Sequence, residues 1–151
     1  MGRLLKRLIL IGLGLFVAMQ AIRPARTNPV SDPAKAITKR LAVPADVKAI
    51  FDRSCRNCHS HETVWPWYSN VAPVSWNVIS HVNDGRGSMN FSDWPEGPEE
   101  AGELLDKICK EVKKGQMPIP QYTWMHSEAK LTDADRKRLC TWSTKAATDL
   151  Y

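Results

Sequence analysis

The sequence is short of what several common protein classes require. Outside its first 26 residues it has no surplus of charge. The formal +5 of the 151-residue chain is carried by Arg3, Lys6, Arg7, Arg23 and Arg26, and from Thr27 onward 16 basic residues face 16 acidic ones. A nucleic-acid binder keeps a basic excess in its folded part to neutralise phosphates, so that partner is excluded. Eight Gly and ten Pro, without period, are too few for a collagen-like or low-complexity chain. No segment repeats. No stretch alternates apolar and polar residues convincingly, which removes a sheet and, with it, a thioredoxin-like dithiol fold. Cysteine and histidine number only four each. Neither Cys109 nor Cys140 has a Cys or His three residues away, so the paired ligands of a zinc site are missing.

Only one long apolar run exists. Arg3, Lys6 and Arg7, with no acid near them, precede a stretch from Leu8 to Ile22 interrupted by Gly12, Gly14 and Gln20. A basic segment followed by such a run is an export signature. No clean small-x-small cleavage site follows, and residues 4–22 reach the lower limit of about 17 residues for a spanning helix if Lys6 and Arg7 snorkel. Residues 1–26 therefore read as an export signal or an N-terminal membrane anchor, the uncleaved anchor being favoured. The start lacks the Ser or Thr that myristoylation wants. Residues 27–43, with Pro29 and Pro33, read as a linker, and residues 44–151 as one folded domain on the periplasmic side of the inner membrane.

The specific signal is Cys55-Arg56-Asn57-Cys58-His59. Two thiols three positions apart can each add to one vinyl group of a porphyrin, and the following imidazole then faces the iron; this is the attachment motif for haem c. A disulfide across one helical turn would constrain little. The spacing predicts one haem bound covalently through Cys55 and Cys58, with His59 as the proximal iron ligand.

For the opposite face of the iron, Met117 is preferred. It sits in Gly115-Gln116-Met117-Pro118, where glycine lets a helix stop and proline stiffens the loop that presents the thioether. A lone Met is more often core filler, but filler is unexpected in a Pro/Gly loop. His126 is the alternative distal ligand. Trp65, Trp67 and Tyr68 lie near enough in sequence to pack on the ring or reach its propionates, and Arg86 is a candidate propionate partner. Cys109 and Cys140 are left over, and in an oxidising compartment they are expected to pair.

The pattern predicts an all-α fold. One helix opens at Pro44 and runs into Cys55, burying Val47, Ile50 and Phe51. A second runs from Pro73 with Trp76, Ile79 and Val82 inward, stopped by Asp84-Gly85-Arg86-Gly87. A third covers Pro98 to Lys114 on Leu104, Leu105, Ile108 and Val112, and a fourth opens at Thr132 with Asp135 as its capping partner, burying Leu139, Trp142 and Ala146. Residues 60–72 read as an ordered loop.

The stretches SCRNCHSHETVWPWYSNVAPVSW (54–76), GRGSMNFSDW (85–94), GQMPIPQYTWMHSEAKLT (115–132) and LCTW (139–142) resemble the single-haem haem-binding domain family, small exported proteins related in pattern to class I cytochromes c. The resemblance implies a cytochrome c-like helical domain around one covalently attached haem, with Cys55, Cys58 and His59 at the attachment site and Met117 as distal ligand. It says nothing of Cys109 and Cys140. The expected activity is single-electron transfer to a protein redox partner rather than catalysis. The alternatives are a haem-based gas or redox sensor, and an accessory haem subunit of a larger membrane complex.

Overall fold

The computed structural model describes residues 2–151, and every regular element among them is helical. Helix α1 covers Arg3–Met19 with every residue but its last exposed; it is 17 residues long, and no helix among the described residues is long and apolar enough to cross a membrane. A 3-10 turn over Pro33–Lys35 and a short α2, Ile37–Arg40, lead into α3, Ala45–Ser54. A single turn, α4, Arg56–His59, follows. After a 3-10 turn at Trp67–Asn70 come α5, Val74–Ser88, α6, Pro98–Lys113, the short α7, Pro120–Met125, and α8, Asp133–Thr148.

The core forms where α3, α6 and α8 meet. Helix α6 turns Ala101, Leu105, Ile108 and Val112 inward, and α8 offers Leu139, Cys140 and Trp142. Leu105 and Leu139 have no exposed surface. Burial of each contributes roughly 2–3 kcal/mol by transfer from water. Phe51 of α3 lies 4.6 Å from Phe91 and meets Trp142 edge-on at 5.4 Å between ring centres. Leu104 and Ala146, expected inside, are only half-buried at the edge of this cluster. The disulfide Cys109–Cys140 ties α6 to α8, as expected of two cysteines on facing helices.

Local chemistry explains the helix ends. Thr132 and Asp135 form the expected reciprocal cap of α8, with the Asp135 backbone N–H donating to Thr132 Oγ1 at 3.1 Å and the Thr132 N–H to Asp135 Oδ2 at 2.9 Å. Helix α6 ends with Gly115 in the left-handed region at φ +68°, its N–H bonded to the Val112 carbonyl and that of Gln116 to Glu111. This is the Schellman arrangement that only glycine adopts without strain, and it delivers the chain directly to Met117.

Three expectations need correction. Helix α5 does not stop at Asp84-Gly85-Arg86-Gly87 but runs on to Ser88. Gly85 is there for space: a Cβ on it would stand 2.6 Å from the Cys58 carbonyl oxygen. The glycine lets α4 and α5 touch backbone to backbone and breaks nothing. Residues 120–125, outside the four expected helices, form α7, with Pro120 at a first-turn position where its missing N–H costs no bond. Finally, the segment taken as a linker is bound down over much of its length. Ile37 is 3% exposed and its N–H bonds the Phe91 carbonyl, while the Trp94 N–H reaches back to Lys35.

Candidate functional site

Helix α3 runs into the motif, and α4 is its continuation after a break at Cys55. Cys55 and Cys58 are unbridged, whereas Cys109 and Cys140 are paired. Burial pushes the Cys55 thiol up to about 12, reinforced by Cys58 and opposed by Arg53. Burial also raises Cys58 to about 11, against the pull of Arg86. Both sulfurs are therefore protonated thiols at neutral pH.

His59 is 8% exposed, and its Nδ1 lies 3.1 Å from the Met89 carbonyl oxygen. A carbonyl only accepts, so Nδ1 carries the proton and Nε2 keeps its lone pair, the tautomer a metal-binding imidazole needs. Burial lowers the pKa of this ring, partly offset by the carbonyls of Met89 and Gly85. The neutral ligand form is favoured.

Two cavities adjoin the motif. The larger, about 580 Å³, takes Cys58 into its wall together with Trp67, Tyr68, Val74, Tyr122 and Met125. No Asp, Glu, Lys or Arg lines it, in a chain that is 25% charged. The smaller, about 60 Å³, is bordered by Cys55, His59, Met89, Phe91 and Met117. The two thiols thus open on different cavities, and Met117, 36% exposed, shares one with the imidazole it was expected to oppose.

The remaining candidates occupy different surroundings. Trp67 and Tyr68 line the large cavity, but Trp65, half-buried, borders neither. Arg86 is not a free propionate partner. Its guanidinium donates to the carbonyls of Ser60 and Thr27, each at 2.7 Å, to Asn28 Oδ1 at 2.9 Å and to Thr63 Oγ1 at 2.8 Å. It braces the segment before α2 against the haem-motif loop, because α5 continues through it and points it back into the fold. His126 also has both ring nitrogens engaged, with Tyr68 Oη at 2.8 Å and Glu128 Oε1 at 3.0 Å, and Tyr122 stacks on it at 4.4 Å. It serves as a post for the aromatic wall more readily than as an iron ligand. His61 bonds Asn90 at 2.7 Å and lies in neither cavity.

Sequence reasoning missed the contribution of α7 and of the outer face of α5. Ile119, Tyr122, Trp124 and Met125 supply one wall of the large cavity, and Val78 and His81 part of another. Tyr122 is fixed by Asn57, inside the motif, which donates to its hydroxyl at 2.8 Å. The available signal was Pro120 in a first-turn position followed by five residues that can all be helical.

The donor set is of the kind a haem takes, although it is split between two cavities, with Cys58 on the large one and Cys55, His59 and Met117 on the small one. It combines two protonated thiols, a buried imidazole of the right tautomer, a thioether and a large uncharged aromatic cavity. Among the described residues, no group of three or more His, Cys, Asp or Glu stands together as a bare metal ion would require. A family model described as a haem-binding domain matches residues 14–145. No curated protein and no solved structure matches the chain.

Proposed function

The chain belongs to the haem-binding domain family, and from that premise we propose that it holds one haem c covalently and passes single electrons outside the cytoplasmic membrane. The observation that carries the covalent reading is the division of the four cysteines. Two are bridged and border neither cavity, and the two that are not stand three residues apart on the cavity walls, next to a buried imidazole. Cys55 and Cys58 would form the thioethers. His59 would bind the iron through Nε2, its ring orientation set by the Nδ1–H bond to Met89. Met117 would be the distal ligand, presented by the Gly115 cap and Pro118. Haem bound in this way supplies reversible one-electron chemistry at its iron, with a potential raised by Met/His ligation.

A carrier is favoured over a gas sensor because the Met117 segment is held at its start by the Gly115 cap and at its end by α7. We place the domain at the periplasmic surface with α1 as its membrane anchor, and assign it a protein redox partner. Mass spectrometry and the visible spectrum of the purified protein test the proposal. A mass increase of one haem that survives denaturation is expected, and a bare polypeptide or an extractable haem refutes covalent attachment. The weak sulfur-to-iron charge-transfer band of the oxidised protein should vanish in Met117→Ala; its persistence would remove Met117 from the iron. Rapid, complete carbon monoxide binding by the reduced wild-type protein would favour the sensor.

A further inference from the structure

We infer that the rim of the large cavity is a membrane-contact surface, seated in the headgroup region of the bilayer that receives α1; this rests on the reading of α1 as an anchor. Three observations converge. First, α1 ends hard against the domain. Gln20 Nε2 donates to the Ala72 carbonyl at 3.1 Å, the Ala72 N–H returns a bond to Gln20 Oε1 at 3.0 Å, and Trp76 Nε1 donates to the Ile22 carbonyl at 2.8 Å. The clamp leaves no spacer between anchor and domain.

Second, the anchor is short. From Leu4 to Met19 the helix spans about 24 Å at 1.5 Å per residue, against a hydrocarbon core of roughly 30 Å. A helix with no length to spare draws the bilayer surface up to whatever is clamped at its end. That is the segment Ala72-Pro73-Val74, and Pro73 and Val74 are rim residues of the cavity.

Third, the rim is built for that depth. Val64, Trp67, Val74, Trp124 and Met125 border the cavity with exposures of 66%, 72%, 48%, 75% and 57%, large values for such side chains. They come from three separate parts of the chain, the motif loop, the start of α5 and α7, and form one apolar ring around an uncharged wall. Exposed apolar patches of this kind mark interaction surfaces. Tryptophan prefers the membrane interface, where its ring is apolar and its N–H stays hydrated. Arg26, whose guanidinium lies 3.4 Å from Ser69 Oγ, and Arg23, bonded to the Gln20 carbonyl, stand beside the clamp, where the proposed seating would bring lipid phosphates. A docking protein held by charge would find nothing to pair with on this ring. A bilayer needs no charge there.

The test uses the full chain in phosphatidylcholine nanodiscs containing a lipid with a diazirine in its acyl chain close to the glycerol. After irradiation, labelled peptides are mapped by mass spectrometry. Labelling is expected in α1 and also in residues 64–74 and 119–125. In Trp67→Ser/Trp124→Ser, compared with wild type at equal haem content by mass because both side chains also line the cavity, labelling of those two segments should fall at least five-fold while that of α1 is unchanged. Labelling confined to α1 would overturn the contact surface and leave the anchor standing. An unlabelled α1 would remove the anchor, and with it the basis of this inference. Cross-linking of the ring to a co-purifying protein in place of lipid would also overturn it.

Discussion

The two sides of the molecule are held together by different means. On one side α3, α6 and α8 close over a continuous apolar core, with a disulfide between α6 and α8 and an ion pair from Arg53 to Asp135 at 2.9 Å. On the other, α5, the Trp67–Asn70 turn and α7 surround a cavity of about 580 Å³, and hydrogen bonds from Arg86, Asn57 and Tyr68 hold that cage in shape. The first side is packed side chain on side chain apart from the small cavity of about 60 Å³. The second is a cavity with apolar and aromatic walls, held in place by polar bonds between distant segments more than by packing.

That contrast can be broken most severely at the motif. Cys55→Ser/Cys58→Ser should abolish covalent haem altogether, read by mass. In that variant, hydrogen exchange should lose protection across α5 and α7 while α6 and α8 keep theirs; equal loss on both sides would show that the halves are not separable. Next in size is Leu139→Ala, which should cost about 2–5 kcal/mol in denaturant unfolding because the site is fully enclosed. Cys109→Ser/Cys140→Ser opens a loop with a separation of 31 residues and should cost about 3–4 kcal/mol; a change well under 1 kcal/mol would mean that packing alone fixes α6 on α8.

The smallest effect is expected at the α8 cap, where Thr132→Ala should cost about 1 kcal/mol, with a pH signature. Burial pushes the Asp135 carboxyl up, but the N–H and hydroxyl of Thr132 and the Arg53 guanidinium outweigh it and hold it below its ordinary 3.8. A lowered folded-state value means stability that is present above 3.8 and lost as the pH falls through the folded value. The difference between wild type and Thr132→Ala should therefore shrink as the pH is taken below 3.8 in an acid unfolding series. A difference that stays constant through that range would show that the Asp135 carboxylate plays no part in the cap.

Legibility followed the same divide. The filled side was readable because its signals are local or periodic. The Thr132–Asp135 box, the glycine after α6 and the apolar spacing of Leu105, Ile108 and Val112 each have a fixed offset in the chain. The Cys55-Cys58-His59 motif stood out because its spacing is specific, and the structure leaves those two thiols unbridged beside a buried imidazole. What was not readable depends on contacts between distant segments. Arg86 looked like a loop residue because Gly85 and Gly87 look like a stop, and only the approach of α4 to α5 explains the first of them. Trp65 and Trp67 are alike in sequence, yet only Trp67 faces the cavity. The segment before Pro44 read as a tether because proline is frequent there, although its hydrogen-bond partners lie some 55 residues further on.

The meeting of Gly85 with Cys58 has a consequence for how this sequence can vary. In an isolated helix, alanine would be the better residue at position 85 by about 1 kcal/mol. Here an added methyl would strike the peptide oxygen of Cys58 at 2.6 Å, and rigid backbone cannot yield as a side-chain tip can. The position is thus closed to every larger residue by an atom that belongs to another element. A substitution there would be felt first as a misdirected sulfur, before any loss of helix.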